Sequence, residues 1–186
     1  MKSTPSSGAQ SPRTCGCDGE AAGRKRPSCT VLKNEAVESW RQKGKPRRSP
    51  TERPVVHIEF LLSRKSVPAT QEDSVIARDL LDTLVAHRET CVGMAANMIG
   101  ELKRIIAFYD GGVPRIMYNP ELTEKSGPYD TQEGCLSLSG IRPATRYKHI
   151  TVSYQDECLA GKTEKFSGFT AQIIQHEIDH CDGVLI

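Results

Sequence analysis

The chain of 186 residues holds no apolar run near the roughly 20 residues that a bilayer-spanning helix requires, so no membrane segment is expected. Behind Met1-Lys2-Ser3-Thr4-Pro5 there is none of the apolar h-region of a secretory signal. A reducing, cytoplasmic setting is therefore expected. There the seven cysteines act as ligands or small buried residues rather than disulfide halves. The body of the chain also lacks a basic surplus. Residues 1–54 carry twelve Lys/Arg and five Asp/Glu, a net of +7, which leaves 13 basic and 18 acidic residues beyond, a net of −5. The overall charge of +2 thus belongs to the leader, and no specific nucleic-acid surface is expected on the body. Internal repeats are absent.

Residues 1–54 are rich in Ser, Pro, Gly, Lys and Arg and poor in apolar side chains. Such a segment cannot bury enough surface to offset the entropy of ordering, and it is expected to be a disordered basic leader. Cys15, Cys17 and Cys29 lack the partners and spacing of a common zinc site. Residues 55–186 read as one catalytic domain. Residues 55–60 partly alternate and predict a strand. Thr70 is placed to cap a helix reaching about Arg88, with Ile76, Leu80, Leu81, Leu84 and Val85 as its buried stripe. The stretch from Cys91 to Gly100 is small, apolar and bounded by glycine, which suits close approach of its backbone to another backbone or a ligand. Residues 104–109 and 115–118 predict strands around the turn Asp110-Gly111-Gly112, with further strands at 121–125, 147–154 and 163–166. Residues 170–181 predict a last helix with Phe169, Ile173, Ile174 and Ile178 on its core face. The expected class is α+β: an antiparallel or mixed sheet wrapped around a C-terminal metal-binding helix, preceded by one N-terminal helix.

That last helix contains His176-Glu177-Ile178-Asp179-His180. Positions four apart on a helix lie on one face, about 5–6 Å from each other, so both imidazoles can reach one metal ion. The cysteine of Glu133-Gly134-Cys135-Leu136-Ser137 supplies a thiolate suited to a third ligand. Three protein ligands leave one tetrahedral position for water. The metal would bring that water's pKa toward about 7 and make a hydroxide nucleophile. Glu177 would be the general base.

Three ordered segments resemble those of peptide deformylases: Cys91 to Met98, Glu133 to Ser137, and His176 to His180. The last two match the family patterns E-G-C-φ-S and H-E-x-D-H at every fixed position. The resemblance implies a hydrolase that removes the N-formyl group from the initiator methionine of newly made chains and releases formate. It implies Cys135, His176 and His180 as ligands of one divalent ion, Fe2+ in the first place with Zn2+ or Ni2+ as substitutes. It further implies Glu177 as base, the Leu136 backbone N–H facing the oxyanion, Gly93 pairing with the substrate backbone, and Arg142 near the substrate groove. The first segment departs from the pattern. Cys91 stands for a Gly, Asn97 for a Pro, and Met98 for the Gln that donates to the oxyanion. A thioether cannot donate.

Two other readings compete. His176 to Gly183 also opens the zinc-peptidase pattern H-E-x-x-H-x-x-G-x-x-H, but that pattern needs a histidine where Ile186 stands. A low-activity deformylase-like protein that binds metal and N-terminal peptides is the reading that Met98 favours.

Overall fold

A computed structural model describes residues 49–186. The expectations for positions 1–48, including Cys15, Cys17 and Cys29, fall outside these. Among the described residues, the first side-chain contacts with distant parts of the chain are made by Thr51 and Arg53. The Thr51 N–H donates to Asp82 Oδ2 at 3.0 Å, the Arg53 N–H donates to Thr83 Oγ1 at 2.9 Å, and the Arg53 guanidinium reaches Asp79 and Glu101. These residues, assigned from sequence to the leader, lie against the long helix that follows.

The strand expected over residues 55–60 does not form. The segment makes one long-range backbone bond, Val56 N–H to Met98 O at 2.8 Å, and then turns into the short helix α1, Glu59–Leu62. Ile58 and Phe60 are exposed, so the partial alternation reflects no buried sheet face. The predicted helix is present as α2, Ser74–Ala86, entered through a 3-10 turn at Gln71–Asp73. The Asp73 carboxylate accepts from the Thr70 N–H at 2.7 Å and the Thr70 hydroxyl at 3.2 Å, which secures the start. Ala77, Leu80 and Leu84, spaced by three and four, are fully buried.

Five strands follow: β1 Gly93–Ala95, β2 Ile105–Asp110, β3 Val113–Gly134, β4 Ile141–Gln155 and β5 Gly161–Ser167. They form one sheet in the order β1-β2-β3-β4-β5, and every neighbouring pair is antiparallel. Gly111 and Gly112 both take positive φ in the two-residue turn between β2 and β3, where glycine carries no steric cost. The separate strands expected at residues 115–118 and 121–125 are parts of one long bent strand, which continues to Gly134. One register shift spans Asn119, a non-glycine residue at φ 52°, and Pro120, and a second falls at Thr123. Asn119 and Pro120 bend β3 without ending it.

The last helix, α3, runs Gly168–Asp182 and closes on Gly183 at φ 77°. There the Gly183 N–H bonds His180 O and the Val184 N–H bonds Asp179 O. Ala171, Ile174, Ile178 and Cys181 bury one face against Ile106, Phe108, Met117, Ile150 and Val152 of the sheet. On the sheet's other side, Ile105 and Ala107 join Leu62, Leu80, Leu84, Met94 and Met98. Strand β2 is thus covered on both faces, which is why Ile105-Ile106-Ala107-Phe108 is continuously apolar. Among the described residues, no helix is long and apolar enough to cross a membrane.

Candidate active site

The apolar face of α3 docks into the sheet, so its opposite face is turned to the segment that follows β3. Cys135 sits one residue past the end of β3, and His176 and His180 lie one turn apart on α3. One ligating atom from each falls within 4.8 Å of the others. The Cys135 Sγ lies 3.2 Å from His180 Nε2, and the Ser137 N–H points at the same sulfur from 3.4 Å. Residues 45 positions apart in sequence therefore converge where the sequence motifs required.

The imidazoles are in different electrical states. His180 is fully buried, and burial with the nearby positive charges of His176 and Arg146 pushes its pKa down to about 3. It is neutral at pH 7, with Nε2 directed at the sulfur. His176 is driven the other way, to about 10. Burial opposes its charge, but hydrogen bonds to Cys135 and Glu133 outweigh burial, and Glu177 adds to them. The space among Cys135, His176 and Glu177 therefore favours a positive charge.

Glu133 orients the whole cluster. Its carboxylate accepts from Arg146 Nε at 2.9 Å and Nη2 at 2.7 Å, from Gln172 Nε2 at 2.9 Å, and meets His176 Nδ1 at 2.8 Å. Burial alone would raise the Glu133 pKa, yet these donors, His176 first, bring it down to about 2. With Nδ1 engaged by the carboxylate, His176 turns Nε2 toward Cys135 and the ligand site. Arg146 also reaches Asp179 at 2.6 Å, which ties β4 to the helix that carries both histidines.

Glu177 is 3 % exposed, its Oε2 has no hydrogen-bond partner among the described residues, and burial raises its pKa to about 7. A carboxyl poised near neutrality can accept and return protons at pH 7. It packs against Gly93. A Cβ placed on Gly93 would stand 2.6 Å from Glu177 Oε1 and 2.6 Å from Ile173 Cγ2, so only glycine fits there. The cavity at this point measures about 250 Å³, and its wall includes Gly93, Met98, Cys135, Leu136, Gln172 and Glu177.

Arg142, Asn97 and Met98 meet other surroundings than the family pattern implies. Arg142 is engaged with Glu59 at 2.8 Å on the exposed start of β4, outside the cavity wall. Asn97 and Met98 lie in a 3-10 turn, Ala96–Ile99, and not on a strand. The Asn97 amide is directed away from the cavity wall, donating to His180 O at 2.7 Å and Leu62 O at 3.3 Å. It therefore offers no replacement donor for the missing Gln. The Met98 sulfur accepts from the Ala95 N–H at 3.4 Å. Phe169, expected in the core, is 64 % exposed and forms part of the cavity rim.

Sequence reading missed Arg146 and Gln172. Gln172 precedes His176 by one helical turn, a spacing that could have revealed it. Arg146 carries no local signal, since only the β3–β4 pairing brings it to Glu133.

The donors suit a borderline divalent ion. One thiolate and two imidazoles converge, the second nitrogen of His176 is held by a carboxylate, and Glu177 faces the cluster with an unpartnered oxygen. The chain is also similar to known proteins. The family described as polypeptide deformylase matches residues 56–186. A peptide deformylase of Clostridium beijerinckii is 49 % identical over 134 residues, covering 72 % of this chain and 98 % of that one. The crystal structure of peptide deformylase from Thermus thermophilus superposes with a TM-score of 0.64 at 33 % identity, over 72 % of this chain and 82 % of that one. A Met-Ala-Ser-bound peptide deformylase from Acinetobacter baumannii superposes with a TM-score of 0.66 at 26 % identity, over 73 % and 97 % of the two chains.

Proposed function

The chain belongs to the polypeptide deformylase family of hydrolases, and from that premise we propose that it removes the N-formyl group from the N-terminal methionine of newly made polypeptides, releasing formate. The observation that carries this reading is the convergence of Cys135, His176 and His180 beside the buried Glu177.

Cys135, His176 and His180 would hold one divalent ion, ferrous iron before zinc or nickel. When bound, that ion supplies Lewis acidity to the formyl carbonyl and lowers the pKa of water at its open position. The remaining chemistry belongs to the chain. Glu177 takes the proton from the attacking water at its carboxylate and returns it to the departing amine nitrogen. Its pKa of about 7 suits both transfers. Glu133, bound to Arg146, holds His176 in the tautomer that presents Nε2 to the ligand site. The Leu136 N–H is the donor assigned to the developing oxyanion. The open edge of β1 at Gly93 pairs with the substrate backbone as an added strand. Arg142, paired with Glu59 at 2.8 Å, is assigned only a place near the substrate groove. The Met-Ala-Ser bound to the A. baumannii relative supports a substrate that begins with methionine.

Met98 favours a second reading, in which metal and N-terminal peptides are bound with little turnover. Formate release from formyl-Met-Ala by ferrous-loaded protein, prepared without oxygen, separates the two. Turnover that falls at least about 10²-fold in Glu177→Ala supports the hydrolase. Peptide binding without turnover, unaffected by Glu177→Ala, establishes the binding protein instead. Cys135→Ala, His176→Ala and His180→Ala should each abolish tight metal binding in metal analysis.

A further inference from the structure

The cavity beside the cluster is not uniformly apolar. Val92, Phe169 and Ile173 line it, and so does the Gln172 amide, which none of the steps above uses. Its orientation follows from its partners. A carboxylate can only accept, so the nitrogen of Gln172 must face Glu133, and it does so with Nε2 2.9 Å from Glu133 Oε1. The Tyr129 hydroxyl then donates to Gln172 Oε1 at 3.0 Å. An amide nitrogen carries two hydrogens, and the carboxylate takes one. The carboxylate leaves the second untaken, and the side chain that carries it is clamped at both ends at the cavity wall. Gln172 lies four residues before His176 on α3, about 6 Å along the helix axis from it. A methionine side chain attached next to the reacting formyl group reaches about that far.

We propose that Gln172 is a specificity-determining residue, whose spare N–H reads a hydrogen-bond acceptor near the end of the substrate's first side chain. This rests on the deformylase reading and deepens it. The pocket would select the thioether of methionine over its all-carbon isostere norleucine. It would also admit methionine sulfoxide, whose oxygen is a stronger acceptor than a thioether, so formyl-peptides with an oxidised first residue become substrates. An apolar pocket predicts the opposite order, because norleucine is the more hydrophobic of the isosteres and a sulfoxide is costly to bury without a donor.

The test compares kcat/KM for formyl-Met-Ala, formyl-norleucine-Ala and formyl-Met-sulfoxide-Ala in the wild type and in Gln172→Leu. Gln172 also supports Glu133, so Gln172→Leu lowers all three values together. The ratios within each protein cancel that loss. The wild type should prefer methionine over norleucine by about threefold or more, and should turn over the sulfoxide within about tenfold of methionine. In Gln172→Leu the methionine preference should vanish or reverse, and the sulfoxide should fall a further tenfold or more. Tyr129→Phe, which frees one end of the clamp, should narrow the methionine preference with the metal ligands untouched. Wild-type ratios that favour norleucine or exclude the sulfoxide overturn the proposal, as do ratios unchanged in Gln172→Leu. Absence of formate from all three peptides in the wild type would instead overturn the deformylase reading on which it rests.

Discussion

Gly93→Ala probes how the buried base is held. The added Cβ would meet Glu177 Oε1 and Ile173 Cγ2, both at 2.6 Å, and ordinary contact begins at about 3.4 Å. One or both side chains must therefore move by about 0.8 Å, from positions that are at most 5 % exposed and tightly surrounded. Overpacking of this kind costs about 1–3 kcal/mol. For a domain of this size that lowers Tm by about 2–4 °C per kcal/mol. Misplacing a catalytic group by nearly 1 Å costs up to about 10²-fold in rate. Metal content should be unchanged, since the atoms nearest the added Cβ belong to Glu177 and Ile173 and to none of the three ligands. The assays are formate release, thermal melting and metal analysis on one preparation. Ile173→Ala removes one of the two clashes, so the stability cost of Gly93→Ala should shrink in that background, with a coupling of about 0.5–3 kcal/mol. Wild-type kcat in Gly93→Ala, or strictly additive stability losses with Ile173→Ala, would refute the close packing of Gly93 against the base.

Met98→Gln should raise turnover by up to about 10²-fold, because the new amide oxygen can take over the Ala95 N–H while its nitrogen donates to the oxyanion; steady-state kinetics with no gain would remove that account of Met98. Asn97→Ala removes the buried amide that donates to Leu62 O and, beside the Gly183 N–H, to His180 O, and it should cost about 1–3 kcal/mol in chemical denaturation and weaken metal retention. Glu164→Gln tests a pH effect away from the cluster. Burial opposes the charge on Glu164, but hydrogen bonds from Tyr154 and Arg115 win and depress its pKa. Its contribution to stability is therefore present above the ordinary value of 4.5 and is lost as pH falls below it through the depressed one. The side chain is 39 % exposed, so solvent screening holds the difference to about 1 kcal/mol or less. Denaturation midpoints of wild type and Glu164→Gln should converge as the pH is lowered past that range.

Much of the site was legible because its chemistry is local in the chain. His176, Glu177 and His180 lie within two turns of one helix, and Cys135 follows a short motif whose residue types suit a metal ligand. The helix α2, the Asp110 to Val113 hairpin and the strand through Ile150 and Val152 were equally legible, since each shows its period or its turn residues. Residues 55–60 misled because a short run of Val and Ile alternates by chance at an exposed turn, and Asn119-Pro120 reads as a strand end where tertiary pairing makes it a bend. Only the fold decided that Arg146 reaches Glu133, that Gln172 is clamped at the cavity wall, that Arg142 pairs with Glu59, and that Asn97 bonds the end of α3. Those contacts join residues from 13 to 83 positions apart, and no periodicity records them. The sequence by itself determined which groups could do the chemistry, because residue type and helical spacing are written in it. The tertiary structure decided how those groups are oriented, buried and charged, because those properties come from neighbours that only a folded chain supplies.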